Sequence, residues 1–195
     1  MRSCIVYDVL VRHLREQGLR VTHVRNITDI DDKIVQRAAE RGEDIGTLTA
    51  RYTASYREAA ERLFCVPPTH EPTVTGHLPQ VLDLIAQLIE RGAAYVADGD
   101  VYYSVASFSD YGKLSHRKLS DLEAGASGRV ADDEVKKKRH PADFALWKGT
   151  SAEPSWSSPW GPGRPGWHIE CSALCLACLG ESCDVHGGGL DLVFP

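Results

Sequence analysis

The hydrophobic period of the chain changes at Gly92, and that change restricts it to a fold mixing helices with a sheet. Before Gly92 apolar residues recur every three or four positions. Ile5, Val6, Val9, Leu10 and Leu14 predict a helix over 3–17, stopped by Gly18. A second helix is expected from Asp31 to Arg41 with Gly42 as its stop, a third over 46–64, and a fourth over 76–91. The last carries the stripe Leu78, Val81, Leu82, Ile85, Leu88 and Ile89. Between the first two helices, Leu19 to Arg25 reads as a short β-branched strand. The chain then turns through Asn26-Ile27-Thr28-Asp29, with Thr28 or Asp29 as the expected N-cap.

After Gly92 the pattern is that of a hairpin: 93–97 and 101–105 flank Asp98-Gly99-Asp100. Residues 106–166 are rich in Gly, Pro, Ser and charge and hold three of the four tryptophans, which predicts an irregular insertion bearing strands. Helix returns over 168–180, then a short strand over 182–186 that runs into Gly187-Gly188-Gly189. No internal repeat is present. The order points to an open α/β sheet interrupted by an insertion. Such a sheet ordinarily opens with a strand, whereas this chain opens in a helix.

Charge and cysteine usage narrow the function. Lys and Arg total 22 against 27 Asp and Glu, a net charge of −5, which argues against a wholly basic nucleic-acid module. The dense basic run Lys136-Lys137-Lys138-Arg139-His140 reads as a solvated loop. No stretch approaches the roughly 20 apolar residues of a membrane span, and Asp8, Arg12 and His13 interrupt any signal-peptide core. The cysteines at 4, 65, 171, 175, 178 and 183 cluster late, which fits reduced thiols better than a disulfide framework.

Three motifs carry chemistry. In Asn26-Ile27-Thr28-Asp29-Ile30-Asp31-Asp32-Lys33, the aspartates suit a helix start, and Thr28 lies just past a strand end, where open sheets bind ligands. In Gly166-Trp167-His168-Ile169-Glu170-Cys171, the thiol is expected near a helix N-terminus, where the dipole favours thiolate, the form that binds zinc. In Asp184-Val185-His186-Gly187-Gly188-Gly189-Leu190-Asp191-Leu192, the glycines permit close backbone approach to a flat or phosphorylated ligand, and Asp191 is placed to bind ribose hydroxyls. The apolar residues around that turn are expected to bury its flanks. Cys171, Cys175 and Cys178 also match an iron–sulfur spacing. Helix formers fill the gaps, and on a helix the three thiols rise over about 10 Å at 1.5 Å per residue, which is awkward for one compact cluster.

Together these stretches resemble the cysteinyl-tRNA synthetase family of class I aminoacyl-tRNA synthetases, essentially end to end. The resemblance rests on the stretch Val24 to Ile34, on Asp143-Phe144-Ala145-Leu146-Trp147-Lys148, on Pro154-Ser155-Trp156 with Ser158-Pro159-Trp160-Gly161, on Gly163 to Ala173, and on His186 to Pro195. It implies a class I Rossmann-like nucleotide-binding fold that begins over residues 1–92, is split by a connective insertion at 93–165 and resumes at 166–195. It implies ATP-dependent activation of L-cysteine to cysteinyl-adenylate, with Mg accompanying the ATP, then transfer to tRNA(Cys), in the cytoplasm. By the same resemblance Cys171 is a zinc ligand; Thr28, Trp167 and His186 line the cysteine pocket; and Gly187, Gly188, Gly189 and Asp191 sit at the adenosine. Zinc with an open position can bind substrate sulfur as thiolate, which serine cannot match, so discrimination needs no editing step.

Several family features are not in these 195 residues: the HIGH-type motif and the cysteine-bearing strand expected ahead of Met1, the His-His-Glu-Asn-Glu run expected after Pro195, and the KMSKS-type loop. One of four expected zinc ligands is present. The expectation is therefore a family member truncated at both ends, inactive alone, with an open sheet edge and an uncovered helix face prone to self-association. Two alternatives stand beside it: the related ligase joining cysteine to an amino-sugar inositol in mycothiol synthesis, and a non-catalytic binding paralogue. Asp32-Lys33 and the His186 before the glycines look more like the synthetase.

Overall fold

Apolar faces placed by these periods recur as helices in the computed structural model, which describes residues 1–116 and 137–189. Helix α1 spans Arg2–Glu16, α2 Asp32–Arg41, α3 Ile45–Arg62, α4 Leu78–Glu90 and α5 Trp167–Leu179. Strands β1 (Ala94–Ala97), β2 (Asp100–Tyr103), β3 (Phe144–Gly149) and β4 (Gly163–Pro165) form one antiparallel sheet in the order β1-β2-β3-β4. The result is a mixed α/β fold. It divides into two compact units, one built on Met1–Leu78 with Ala173–Gly188, the other on Pro79–Ser172.

In the first unit, local chemistry sets the helix ends. Asp31 caps α2 by accepting from the Lys33 amide at 2.8 Å, and Gly42 ends it in the left-handed region at φ 61°. The expected caps Thr28 and Asp29 do not serve. Asp29 instead accepts the Thr75 amide at 3.0 Å and its hydroxyl as well. Asp44 caps α3 through the Thr47 amide at 2.9 Å.

The strand expected over 19–25 does not form a ladder. The chain pairs only by parallel bridges at Val24–His70 and Ile27–Thr73, with the Arg25 amide donating to the His70 carbonyl at 3.1 Å and the Ile27 amide to the Pro72 carbonyl at 2.9 Å. A parallel strand is stabilised by neighbours along its edges, and among the described residues this segment has one, on one side. The strand expected over 182–186 is likewise absent: the chain leaves α5 through Gly180 at φ 82° and pairs with no strand among the described residues.

The second unit is built around the hairpin. Asp98 at φ 50° and Gly99 at φ 82° form a two-residue turn with both central residues in the left-handed region, the geometry that matches strand twist. β3 adds to β2 with a register shift at Val101/Tyr102, and β4 adds to β3. Trp147, Tyr102 and Val101 are fully buried. Two glycines permit the packing of the last strand: a Cβ at Gly163 would overlap the Lys148 carbonyl and the Trp147 indole, and one at Gly166 the Ala145 carbonyl.

Two carboxylates organise this unit. Asp143 accepts from the Tyr95 hydroxyl at 2.7 Å, the Val105 amide at 2.9 Å and the His140 amide at 3.1 Å. Asp100 accepts from Lys137 at 2.7 Å, the Gly149 amide at 2.7 Å and the Tyr102 hydroxyl at 3.0 Å. The basic run is thus only partly solvated: Arg139 and His140 are exposed, whereas Lys137 and Lys138 are half-buried. Lys137 pairs with Asp100, while Lys138 and Arg139 lie over the rings of Tyr102 and Tyr95, at 5.9 and 4.1 Å from their centroids. Cation–π attraction and a buried acceptor outweigh solvation of the run.

Candidate functional site

Helix α5 begins at Trp167, directly after the close approach of Gly166 to β3. Trp167 and Cys171 are four residues apart, so α5 presents them on one face about 6 Å apart along the axis. Both are half-buried, and Glu170 beside them is 1% exposed. The Trp167 indole meets the His168 ring edge-on with centroids 5.0 Å apart; His168 in turn meets Phe144 of β3 at 4.9 Å, and Phe144 stacks on Tyr103 at 5.1 Å. A continuous run of rings across the sheet therefore fixes the indole. Sequence reasoning assigned no role to Phe144 or His168. The signal available was their place in two of the quoted motifs, but contact between them depends on how β3 docks beside α5.

The expected thiolate preference of Cys171 is reversed. Burial pushes the thiol above its ordinary value, the Glu170 charge pushes it the same way, and a backbone hydrogen bond opposes them less strongly. Cys175 and Cys178 follow on the same continuous helix, as their spacing predicts.

Thr28 is half-buried and follows the Ile27–Thr73 bridge, so it does lie just past the end of an extended segment. His186, Gly187, Gly188 and Gly189 are exposed. Of the flanking residues expected to be buried, Val185 is 56% exposed, in a stretch that pairs with no strand among the described residues, and Leu190, Leu192, Val193 and Phe194 lie outside the described residues. Close backbone approach does occur at Gly187, where a Cβ would overlap the Tyr7 hydroxyl of α1. Asp191 lies outside the described residues.

A tightly held zinc needs three or four protein ligands. Among the described residues no group of three or more His, Cys, Asp or Glu is gathered to hold a metal. Cys171 alone does not fit that requirement. No helix among the described residues is long and apolar enough to cross a membrane.

Residues 1–195 match the family model for the class I tRNA synthetase (C) catalytic domain, and the chain belongs to that family. It is 57% identical to a protein named cysteine--tRNA ligase from Alkalilimnicola ehrlichii and 55% identical to one from Methylococcus capsulatus, in each case over all of this chain. It is 53% identical to the chloroplastic/mitochondrial cysteine--tRNA ligase of Arabidopsis thaliana. The chain spans 42%, 41% and 34% of the lengths of these three curated relatives.

Proposed function

We propose that this chain belongs to a cysteine--tRNA ligase that activates L-cysteine with ATP and Mg and transfers it to tRNA(Cys). The observation carrying the reading is the family match over residues 1–195, with relatives of that name at 57% identity. Their names favour it over the amino-sugar ligase. In this reading the cysteine carboxylate attacks the α-phosphate of ATP, pyrophosphate leaves, and the acyl group passes to a ribose hydroxyl of the tRNA.

The residue roles follow the resemblance. Trp167, Thr28 and His186 recognise the amino acid, and Gly187, Gly188, Gly189 and Asp191 recognise the adenosine. The ring run from Tyr103 to Trp167 supports the first of these roles by holding the indole in one orientation. Cys171 would give zinc one sulfur ligand. The enclosing fold is Rossmann-like, with 1–92 and 166–195 its two portions and 93–165 the connective insertion. Its place is the cytoplasm.

Two expectations concern the chain by itself. It is inactive alone, and it self-associates through an open sheet edge and an uncovered helix face, for which α1 is the candidate, with Ile5, Val6 and Val9 40%, 63% and 59% exposed. Cysteine-dependent ATP–pyrophosphate exchange tests the reading. The 195-residue chain should show none. A chimera completed with the remaining sequence of the Alkalilimnicola ehrlichii relative should show exchange, and Cys171→Ala in it should relax the choice of cysteine over serine. A folded chimera without cysteine-dependent exchange, or one in which C171A leaves amino-acid choice unchanged, overturns the proposal.

A further inference from the structure

Away from the residues considered above, two thiols share one small interior. Cys4 of α1 and Cys65, three residues past α3, pack with Ala60 into a buried cluster covered by Tyr56. Their partners are not those of small hydrophobes. Arg25 Nη1 donates to Cys4 Sγ at 3.3 Å, and the Cys65 thiol and the Tyr56 side chain pack beside the same sulfur. One guanidinium donor and a second thiol thus meet at one sulfur. A cysteine kept only as apolar filling has no need of a guanidinium whose side chain is only 18% exposed. That guanidinium is held in place: Arg25 Nε and Nη2 bond Glu71 Oε1 at 3.1 and 2.6 Å, and Arg57 bonds the other Glu71 oxygen at 2.6 Å. The Arg25 guanidinium also lies over the Tyr56 ring at 4.8 Å.

We propose that Cys4 and Cys65 form a peroxide-sensitive dithiol, with Cys4 the attacking sulfur and Cys65 the resolving one. The Arg25 guanidinium lies against Cys4 Sγ and not Cys65, where it can stabilise a negative sulfur, and this assigns Cys4 the attacking role. Cys65 keeps its proton until the second step: burial pushes its thiol up, and the neighbouring Cys4 acceptor does the same.

In the first step the Cys4 sulfur attacks one oxygen of hydrogen peroxide. The O–O bond breaks, giving a sulfenic acid, and the departing hydroxide takes a proton to become water. In the second step the Cys65 sulfur attacks the sulfenic sulfur. The S–O bond breaks, the hydroxyl leaves as water with the Cys65 proton, and a disulfide joins the two residues. Two thiols give up two electrons and one peroxide becomes two waters. Cys4 and Cys65 are 7% and 8% exposed, so peroxide reaches them through small openings and the link forms more slowly than oxidation of the exposed Cys183. The product ties α1 to the chain just beyond α3.

The test treats the native 195-residue chain with hydrogen peroxide, quenches it with catalase, alkylates free thiols in denaturant and maps unreduced peptides by mass spectrometry. A peptide pair joining Cys4 to Cys65 is expected, and C65S should instead leave a Cys4 sulfenic acid that dimedone traps. Recovery of both cysteines as alkylated thiols while Cys183 is oxidised overturns the proposal, as does a link that forms only in denaturant. Link formation should slow about tenfold in R25Q and be largely retained in R25K. Y56F, which keeps the ring, should slow it less. Variants with native far-UV circular dichroism and an unchanged rate overturn the assignment of Arg25 and Tyr56.

Discussion

The two units hold themselves together by different means. The unit built on Pro79–Ser172 closes its own hydrogen bonds: a four-stranded ladder, a fully buried Trp147, and two carboxylates each taking three donors from its own loops and strands. The unit built on Met1–Leu78 has no ladder among the described residues, only two parallel bridges, and relies on half-buried ion pairs. Its first helix leaves apolar residues exposed. Antiparallel hairpins carry their partners close in sequence, whereas parallel pairing depends on segments far apart. Only the β1–β2 hairpin of the second unit is local; β3 and the Asp143 contacts join residues as far apart as Val24 and His70, so the units differ in completeness of pairing rather than in sequence range.

Breaking the Asp143 hub should have the largest effect. D143A leaves the Tyr95 hydroxyl and two amides without their acceptor, at a cost of about 3 kcal/mol. All four tryptophans, at 147, 156, 160 and 167, belong to the second unit. Urea denaturation followed by tryptophan fluorescence reads that unit, and an unchanged midpoint would show that the hub is dispensable.

Acid should separate the units next. Burial pushes Asp8 upward, but hydrogen bonds from the Val66 amide and Arg12 hold it below its ordinary 3.8. Burial likewise opposes, and Arg25 and Arg57 outweigh it, at Glu71, which sits below 4.5. Each carboxylate binds protons more weakly folded than unfolded. The stability it lends is full above its ordinary value and is lost as pH falls through the folded one. His23, kept below 6.5 by burial and by the charges of Arg25 and Arg15, adds a slope of the same sign that begins higher. Far-UV circular dichroism, weighted by the helices, should therefore fail at higher pH than tryptophan fluorescence. Coincident transitions would erase the contrast. E71Q should cost about 1–2 kcal/mol at neutral pH and narrow the gap between the two probes.

The smallest effect on stability is expected at α1. V6K or V9K should change stability by less than about 0.5 kcal/mol, since both side chains are exposed. Each should shift sedimentation towards a single monomeric species. A wild-type chain already monodisperse as a monomer would remove the basis for self-association.

The helices and the hairpin were legible because their signals are local. The stripe of α4, Gly42 past α2, and Asp98-Gly99 between alternating runs each name a backbone state within a few residues. The helix carrying Cys171 was legible for the same reason, although it starts at Trp167, one residue before the expected 168. The exchange of caps from Thr28 or Asp29 to Asp31 was not legible, because Asp29 is taken by Thr75, 46 residues away. Nor was the Cys171 thiol: its position in the helix argued for thiolate, but burial and Glu170 argued harder the other way.

By itself, the sequence determined where the helices run, the buried stripe of α4, the turn at residues 98 and 99, and a motif set specific enough to assign the family; it did not determine the face of α1, which buries Cys4, Asp8 and Val11 and leaves Ile5, Val6 and Val9 exposed. Only the tertiary structure decided that Lys138 and Arg139 fold back over tyrosines, that Gly187 meets Tyr7, and that Cys4 packs with Tyr56 and Cys65 while accepting from Arg25. Periodicity fixes that an element is a helix or a hairpin, because that depends on neighbours a few residues off. Which groups face each other there depends on the docking of elements tens of residues apart, where burial and pairing outweigh local preference.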